Sequence, residues 1–288
     1  MQRILSVDSQ ILNSVQSCMR KTQYNFVLNY RPLEKGDSLE KGSLMHDMLE
    51  VHYSQQLQKF TSDRWIELMK AGFTPKSDAA DAGFYFAAKM NLPTEITEEV
   101  VYQFREYREY YKHDSWNPLA VEEVGSKLLF ENEDLKIIYN FKIDLICEQG
   151  NVIAPFDHKT SSQTREPSSM SNQFIAYCWG LGLNNIVINK IGFQKTLTPA
   201  KRFMRYILTL DNERIREWVN NSIWWLLQYD QHLLNNHFPM NLTSCDKYGA
   251  CIYRPVCELN PLSRQARLER DFNPGENWDV AKILEAKE

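Results

Sequence analysis

Phe141-Lys-Ile-Asp144-Leu-Ile-Cys147, a turn at Gln149-Gly150-Asn151, then Val152-Ile-Ala-Pro-Phe-Asp157-His158-Lys159-Thr-Ser161: this stretch decides the fold. Two runs rich in β-branched and aromatic residues flank a short glycine-containing turn, the pattern of a β-hairpin. Side chains alternate along a strand, so Asp157 and Lys159 share one face and His158 points away. The hairpin brings the Asp144 carboxylate beside Asp157. Upstream, Leu119–Phe130 reads as another strand, closed by a turn at 132–134. The three segments 119–130, 136–147 and 151–157 then form an antiparallel meander.

Outward from the meander the pattern becomes helical. The spacing predicts a first helix capped by Asp8 or Ser9, with Ile11, Val15, Cys18 and Met19 on one side. Pro32 to Gly42 reads as a polar turn. A second helix is expected to begin near Gly42–Leu44, with His46, Leu49, Tyr53, Leu57 and Phe60 on one face. Residues 61 to 118 carry no alternation and read as mostly helical, and 54–118 is expected to be an inserted helical lobe. After the hairpin, 171–180 reads as a helix, 185–194 and 203–210 as strands, and a long helix starts at Asp211. The tail from 238 is loop-rich. Helices, three strands, helix, two strands and helix make an α/β layered core with a mixed sheet.

Composition bounds the function. The chain has 288 residues, of which 43% are hydrophobic and 24% charged, so it can bury a sizeable core, and one domain over 1–288 is expected. The net charge of −4 excludes a wholly basic nucleic-acid coat, though not a local basic groove. No apolar run approaches bilayer length, and the N-terminus lacks a signal-peptide core, so a cytoplasmic protein with no membrane association is expected.

Two carboxylates and a lysine in a small space suit a hard cation. Mg²⁺ or Mn²⁺ prefers oxygen ligands and holds substrate phosphates, and the neighbouring lysine can oppose developing phosphate charge. Taken alone, Asp-x-Lys at a strand end more often marks a solvated edge, and a helical histidine such as His46 is more often a core residue. Their company raises the functional reading. Gln173 and Tyr177 are four apart on one helical face just after the Asp-x-Lys strand. Glu122 or Glu123 could join the acids, although a surface role is the commoner fate. Lys195, Lys201, Arg202 and Arg205 could line a DNA path, against a slightly favoured solvated face.

These pieces resemble the RecB-like nucleases of the PD-(D/E)xK superfamily. Gly42-Ser-Leu-Met-His46, Ile143-Asp144-Leu145, Phe156-Asp157-His158-Lys159-Thr160-Ser161 and Gln173-Phe-Ile-Ala-Tyr177 occur in the family's order over about half of the chain. The resemblance implies a restriction-endonuclease-like core: a mixed central sheet flanked by helices, with a helical lobe. It implies a Mg²⁺- or Mn²⁺-dependent deoxyribonuclease, with exonuclease action expected, in DNA repair or recombination. His46, Asp144, Asp157 and the main-chain carbonyl of His158 would hold the metal. Lys159 would be the catalytic lysine, Gln173 would act at the active site, and Tyr177 would contact a DNA phosphate. DNA is the implied partner, with a helicase, recombinase or integrase as possible co-workers. Two departures bear on substrate details: Lys142-Ile143 stands before the first aspartate, and Phe156 separates Pro155 from Asp157. The rival is a non-catalytic DNA-binding or scaffold protein on the same fold.

Cys245, Cys251 and Cys257 are evenly spaced in the tail, with Gly249 and Pro255 suited to turns, and Cys18 is a candidate fourth thiol. Four thiolates bind zinc or an iron–sulfur cluster, and tight Cys-x-x-Cys knuckles typical of structural zinc are missing; buried thiols that ligate nothing are the plainer alternative. Here too a resemblance applies. The iron–sulfur branch of RecB-like nucleases, AddB-type and CRISPR-associated exonucleases among them, carries one N-terminal and three C-terminal cysteines around a 4Fe-4S cluster. It implies a staple in which 238–262 pairs with Cys18, with Zn²⁺ as the alternative. The C-terminal spacing departs from the familiar form, in which the first pair is closer. Cys147 and Cys178 read as ordinary core residues.

Overall fold

A computed structural model describes residues 2–33, 36–161, 166, 168–247 and 249–275. They fall into two compact units. A terminal unit lies within Met1–Lys35, Ser126–Phe141 and Glu213–Glu285, and a central unit within Gly36–Gly125 and Lys142–Asn212.

The terminal unit opens with β1 (Arg3–Val7), α1 (Ser9–Ser17), the short α2 (Met19–Thr22), a π-helical turn and β2 (Tyr30–Pro32). Asp8 caps α1: its Oδ1 accepts from Gln10 N–H at 2.9 Å and Ile11 N–H at 2.8 Å, satisfying two orphan donors. The expected helix through Met19 is broken at Cys18, whose backbone is extended, so the thiol leaves the helical stripe.

The central unit begins with α3 (Asp37–Leu57), α4 (Asp63–Lys70), α5 (Ala79–Lys89) and α6 (Thr94–Tyr110). Helix α3 starts five residues before the expected Gly42, because Asp37 and Glu40 supply favourable charge in its first turn. Phe60 lies beyond its end and packs edge-on against Trp65. Leu44, Met48, Phe86, Val100 and Phe104 from α3, α5 and α6 are fully buried together. Strand β3 (Asn117–Glu131) pairs with β4 (Leu135–Gln149), and β5 (Val152–Ser161), α7 (Asn172–Leu181), β6 (Asn185–Gly192), the short α8 (Pro199–Arg202) and β7 (Phe203–Thr209) follow. β4 runs antiparallel to β5, β5 parallel to β6, and β6 antiparallel to β7, giving the expected mixed sheet. Helices α3 and α7 pack on β5. Gly182 ends α7 in the left-handed region, φ +68°, where a side chain would be strained.

The terminal unit closes with α9 (Asn212–Leu234), α10 (Arg254–Cys257), α11 (Arg264–Asp271) and β8 (Phe272–Pro274). Here β1 runs parallel to the first half of β4, an edge strand that the sequence pattern does not announce. The tail is also more ordered than its loop-rich sequence suggests. β8 pairs antiparallel with β2, and Tyr24, Tyr253, Val256, Leu268 and Phe272 form a small buried core.

Candidate active site

The described ladder between β4 and β5 reaches Leu145 opposite Phe156. One step beyond stand Asp144 and Asp157. There a side chain takes over: His158 N–H donates to Asp144 Oδ2 at 2.7 Å. Asp157 is 1% exposed, and Lys159 Nζ donates to its Oδ1 at 3.0 Å and lies 2.7 Å from Oδ2. Alternation along β5 thus puts the carboxylate and the ammonium on one face, as expected. Lys159 also donates to Gln173 Oε1 at 2.9 Å. Gln173 Nε2 donates to the Tyr177 hydroxyl at 2.8 Å, which donates to the Lys142 carbonyl at 2.5 Å. One turn of α7 therefore holds the lysine from behind. The Tyr177 ring is buried, and its hydroxyl serves Gln173 rather than facing outward.

Helix α3 supplies the other wall. His46 Nδ1 lies 3.7 Å from Asp144 Oδ2, and the ring is hydrogen-bonded to the His158 backbone. Desolvation pulls the imidazole pKa down, against the pull of Glu122 and Asp157, so the ring is neutral near pH 7 and has a lone pair to give. Burial pushes Asp157 up to about 6; Lys159 opposes the shift and Asp144 adds to it. Asp144 is also raised, first by burial and then by Glu122. Carboxylates crowded in this way relax toward their ordinary range when a cation joins them.

Two further acids belong to this neighbourhood. Glu122 lies on β3 with φ +52°, a conformation that costs a non-glycine residue energy and that tends to persist at working sites. Its carboxylate pairs with Lys142 and acts on His46, Glu50 and Asp144, so the surface role expected of it does not hold. Glu50, one helical turn after His46, is buried and its pKa is raised by desolvation and by Glu122. The i, i+4 spacing from His46 is a legible signal for Glu50. The strained backbone at Glu122 has no such signal.

The donor set suits a hard divalent ion: two carboxylates, an imidazole and a main-chain carbonyl, with more acid beside them. Among the described residues, no three His, Cys, Asp or Glu side chains form a closed ligand shell as placed. As placed, the Lys159 ammonium sits on Asp157 and the His158 N–H on Asp144. The slightly favoured solvated face does not hold for Arg202 and Arg205, which turn inward and so fit neither that face nor a DNA path. Arg202 bonds Gln103 and Glu106, and Arg205 pairs with Asp114 at 2.6 Å. Lys195 and Lys201 stay exposed.

A profile of the PD-(D/E)XK nuclease superfamily matches residues 9–258 of this sequence. The chain belongs to the PD-(D/E)XK nuclease superfamily. A solved structure from Eubacterium rectale, described as a candidate exonuclease, aligns with this superfamily member at 11% identity. The alignment covers 88% of each chain with a TM-score of 0.51, a likeness of fold. A second structure, designated SSO0001, is 16% identical over 59% of this chain and 73% of its own, with a TM-score of 0.34. No curated protein sequence matches. No helix among the described residues is long and apolar enough to cross a membrane.

The cysteines form a separate neighbourhood in the terminal unit. Asn241 N–H donates to Cys18 Sγ at 3.3 Å, while Asn241 Nδ2 and Ser244 Oγ both donate to Ser17 O, which docks the tail beside α1. Cys251 N–H donates to Cys245 O at 2.7 Å. The Cys245 thiol pKa is raised first by desolvation, then by Cys251 and Cys18. That of Cys257 is raised by desolvation, with Cys18 and Cys251 adding to the shift. All four thiols are part-exposed, and among the described residues no three of them are placed so as to hold a metal ion. Cys147 and Cys178 are buried, and burial pushes each up to about 12, the inert state expected of core thiols.

Proposed function

We propose that this superfamily member is a divalent-metal-dependent deoxyribonuclease, with exonuclease action, in DNA repair or recombination. The observation that carries the reading is Lys159 Nζ, held between Asp157 and Gln173 beside Asp144 and His46. In this reading His46, Asp144, Asp157 and the His158 carbonyl hold Mg²⁺ or Mn²⁺. When bound, the ion supplies charge to the scissile phosphate and acidity to its water. Lys159 opposes the negative charge that grows on the phosphate, and Gln173 keeps the ammonium aimed there. Tyr177 fixes Gln173 by accepting its amide proton. Neutral His46 offers a lone pair without adding repulsion.

A 4Fe-4S staple on Cys18, Cys245, Cys251 and Cys257 belongs to the same proposal, with Zn²⁺ as the alternative occupant; it rests on the cysteine pattern and on the docking of the tail beside α1. A cytoplasmic setting and a helicase, recombinase or integrase as co-worker belong to it as well. The test is direct. End-labelled single- and double-stranded DNA is incubated with the protein and Mn²⁺, and products are resolved over time. Metal-dependent trimming from an end is the expected result. DNA that is bound but uncut by the wild type with Mg²⁺ or Mn²⁺ would leave the non-catalytic rival standing.

A further inference from the structure

Behind the catalytic strand lies a buried polar chain. His158 points away from the carboxylate face, and its ring stacks on Tyr53 with centroids 5.7 Å apart and planes 10° from parallel. Its Nδ1 lies 2.8 Å from Asn189 Nδ2, on the neighbouring strand β6. The same amide nitrogen donates to the Tyr107 hydroxyl at 2.9 Å, and Tyr107 shares a 2.7 Å hydroxyl–hydroxyl bond with Tyr53. Tyr53, Tyr107, His158 and Asn189 are all buried.

The polarity of this chain follows from one member. Arg205 can only donate, and its Nε approaches Asn189 Oδ1 at 3.4 Å. The carbonyl end of the Asn189 amide therefore faces Arg205, and the NH₂ end supplies one proton to Tyr107 and one to His158. His158 Nδ1 must then be an acceptor, which leaves the ring neutral with its proton on Nε2. Arg205 is fixed in turn by Asp114 and lies over the Tyr111 ring, 3.9 Å from its centroid. The chain thus holds His158 in one orientation. The backbone of His158 lies between Asp157 and Lys159, donates to Asp144 and bonds His46.

We propose that Asn189 is a positioning residue for cleavage: held by Arg205, it locks the His158 ring and so sets the stretch of β5 that carries Asp157 and Lys159. Tyr53 and Tyr107 complete the lock. The proposal deepens the nuclease reading and rests on it. Partners standing behind metal ligands change metal affinity or turnover by about ten- to a hundredfold when removed. That range is the effect expected of Asn189→Leu.

The test compares Asn189→Leu, His158→Leu and His158→Asn with the wild type. The last keeps an amide near the position of Nδ1. Four quantities are read: kcat and KM on end-labelled DNA with Mn²⁺, Mn²⁺ affinity by calorimetry without DNA, and the melting temperature. Asn189→Leu should lower kcat and Mn²⁺ affinity at least tenfold, with KM for DNA within about twofold and melting still above the assay temperature. His158→Asn should recover part of what His158→Leu loses. Unchanged kcat and Mn²⁺ affinity in Asn189→Leu, or a change in KM alone, would overturn the proposal. If Asn189→Leu does not fold, the His158 pair decides, and equal loss in both variants overturns it. A wild type that never cuts DNA would sink the nuclease reading, while the Mn²⁺ titrations would still decide whether Asn189 sets the site.

Discussion

The carboxylate site of the central unit and the cysteine neighbourhood of the terminal unit are built in opposite ways. In the first, reactive side chains bond one another: Lys159 to Asp157 and Gln173, and Gln173 to Tyr177. They stand on paired strands and on a helix packed against them, so the protein alone sets their geometry. In the second, backbone groups hold four part-exposed thiols in one region with no bond between sulfurs. Under the staple proposed above, such an arrangement would take its final form from what the sulfurs bind, and binding energy would then become folding energy. A preorganised site should lose chemistry before stability when a reacting group is removed. A ligand-completed site should lose stability first.

The sharpest break comes from Lys159→Ala. It removes an amine that is part-exposed and supports no core, so cleavage with Mn²⁺ should fall about 10²- to 10⁴-fold while the melting temperature stays near that of the wild type. Full activity in this variant would end the mechanism. Next in size, Cys18→Ser should reverse the pattern. Protein purified anaerobically should lose iron and acid-labile sulfide and melt several degrees lower, while Mn²⁺ binding in the central unit persists. Cys147→Ser and Cys178→Ser should keep the iron. One tightly held zinc in a colourless wild type would assign the thiols to zinc, and no metal at all would make them plain cysteines.

Acid should separate the regions more gently. In the central unit His52 is pulled down to about 4, first by burial and then by Arg108. The unfolded ring titrates near 6.5, so below that pH the unfolded chain gains protons that the folded one refuses. Stability is full above about 6.5 and is lost as pH falls toward 4. Denaturation curves of wild type and His52→Gln between pH 7 and pH 4 should show the steeper decline in the wild type. Parallel curves would remove His52 from the account. The smallest effect is expected of Tyr253→Phe in the terminal unit. The Tyr253 hydroxyl donates to Tyr30 O at 2.6 Å, with Asn25 Oδ1 3.1 Å away, so its loss should cost about 1 kcal/mol. Cleavage should be unaffected, and a tenfold drop in kcat would mean that the two regions are coupled.

Local pattern makes much of this legible. Alternation in 136–147 and 152–161 is a property of the strand itself, so the pattern alone places Asp157, Lys159 and the hairpin partner Asp144. Helical spacing does the same for His46 and for the Gln173–Tyr177 pair. It extends to Glu50, four residues after His46, an acid whose part in the site emerges only with its burial beside Glu122. Neither the solvated face favoured from sequence nor the alternative DNA path holds for Arg202 and Arg205. A basic side chain faces water or the interior according to what lies opposite, and here Glu106, Asp114 and Gln103 draw them in.

Local pattern therefore carries the candidate site groups and the faces they share, because periods of 2.0 and 3.6 are written into the backbone. Tertiary structure decided everything that depends on residues distant in the chain. β1 beside β4 and β2 beside β8 join segments more than a hundred positions apart, and short strands carry too little pattern to announce a partner. The positive φ at Glu122 has no signal in the local pattern, and the closing of Tyr53, Tyr107, His158, Asn189 and Arg205 into one buried chain arises only when α3, α6, β5, β6 and β7 pack together. Burial leaves polar atoms there no water to bond, so they must find one another.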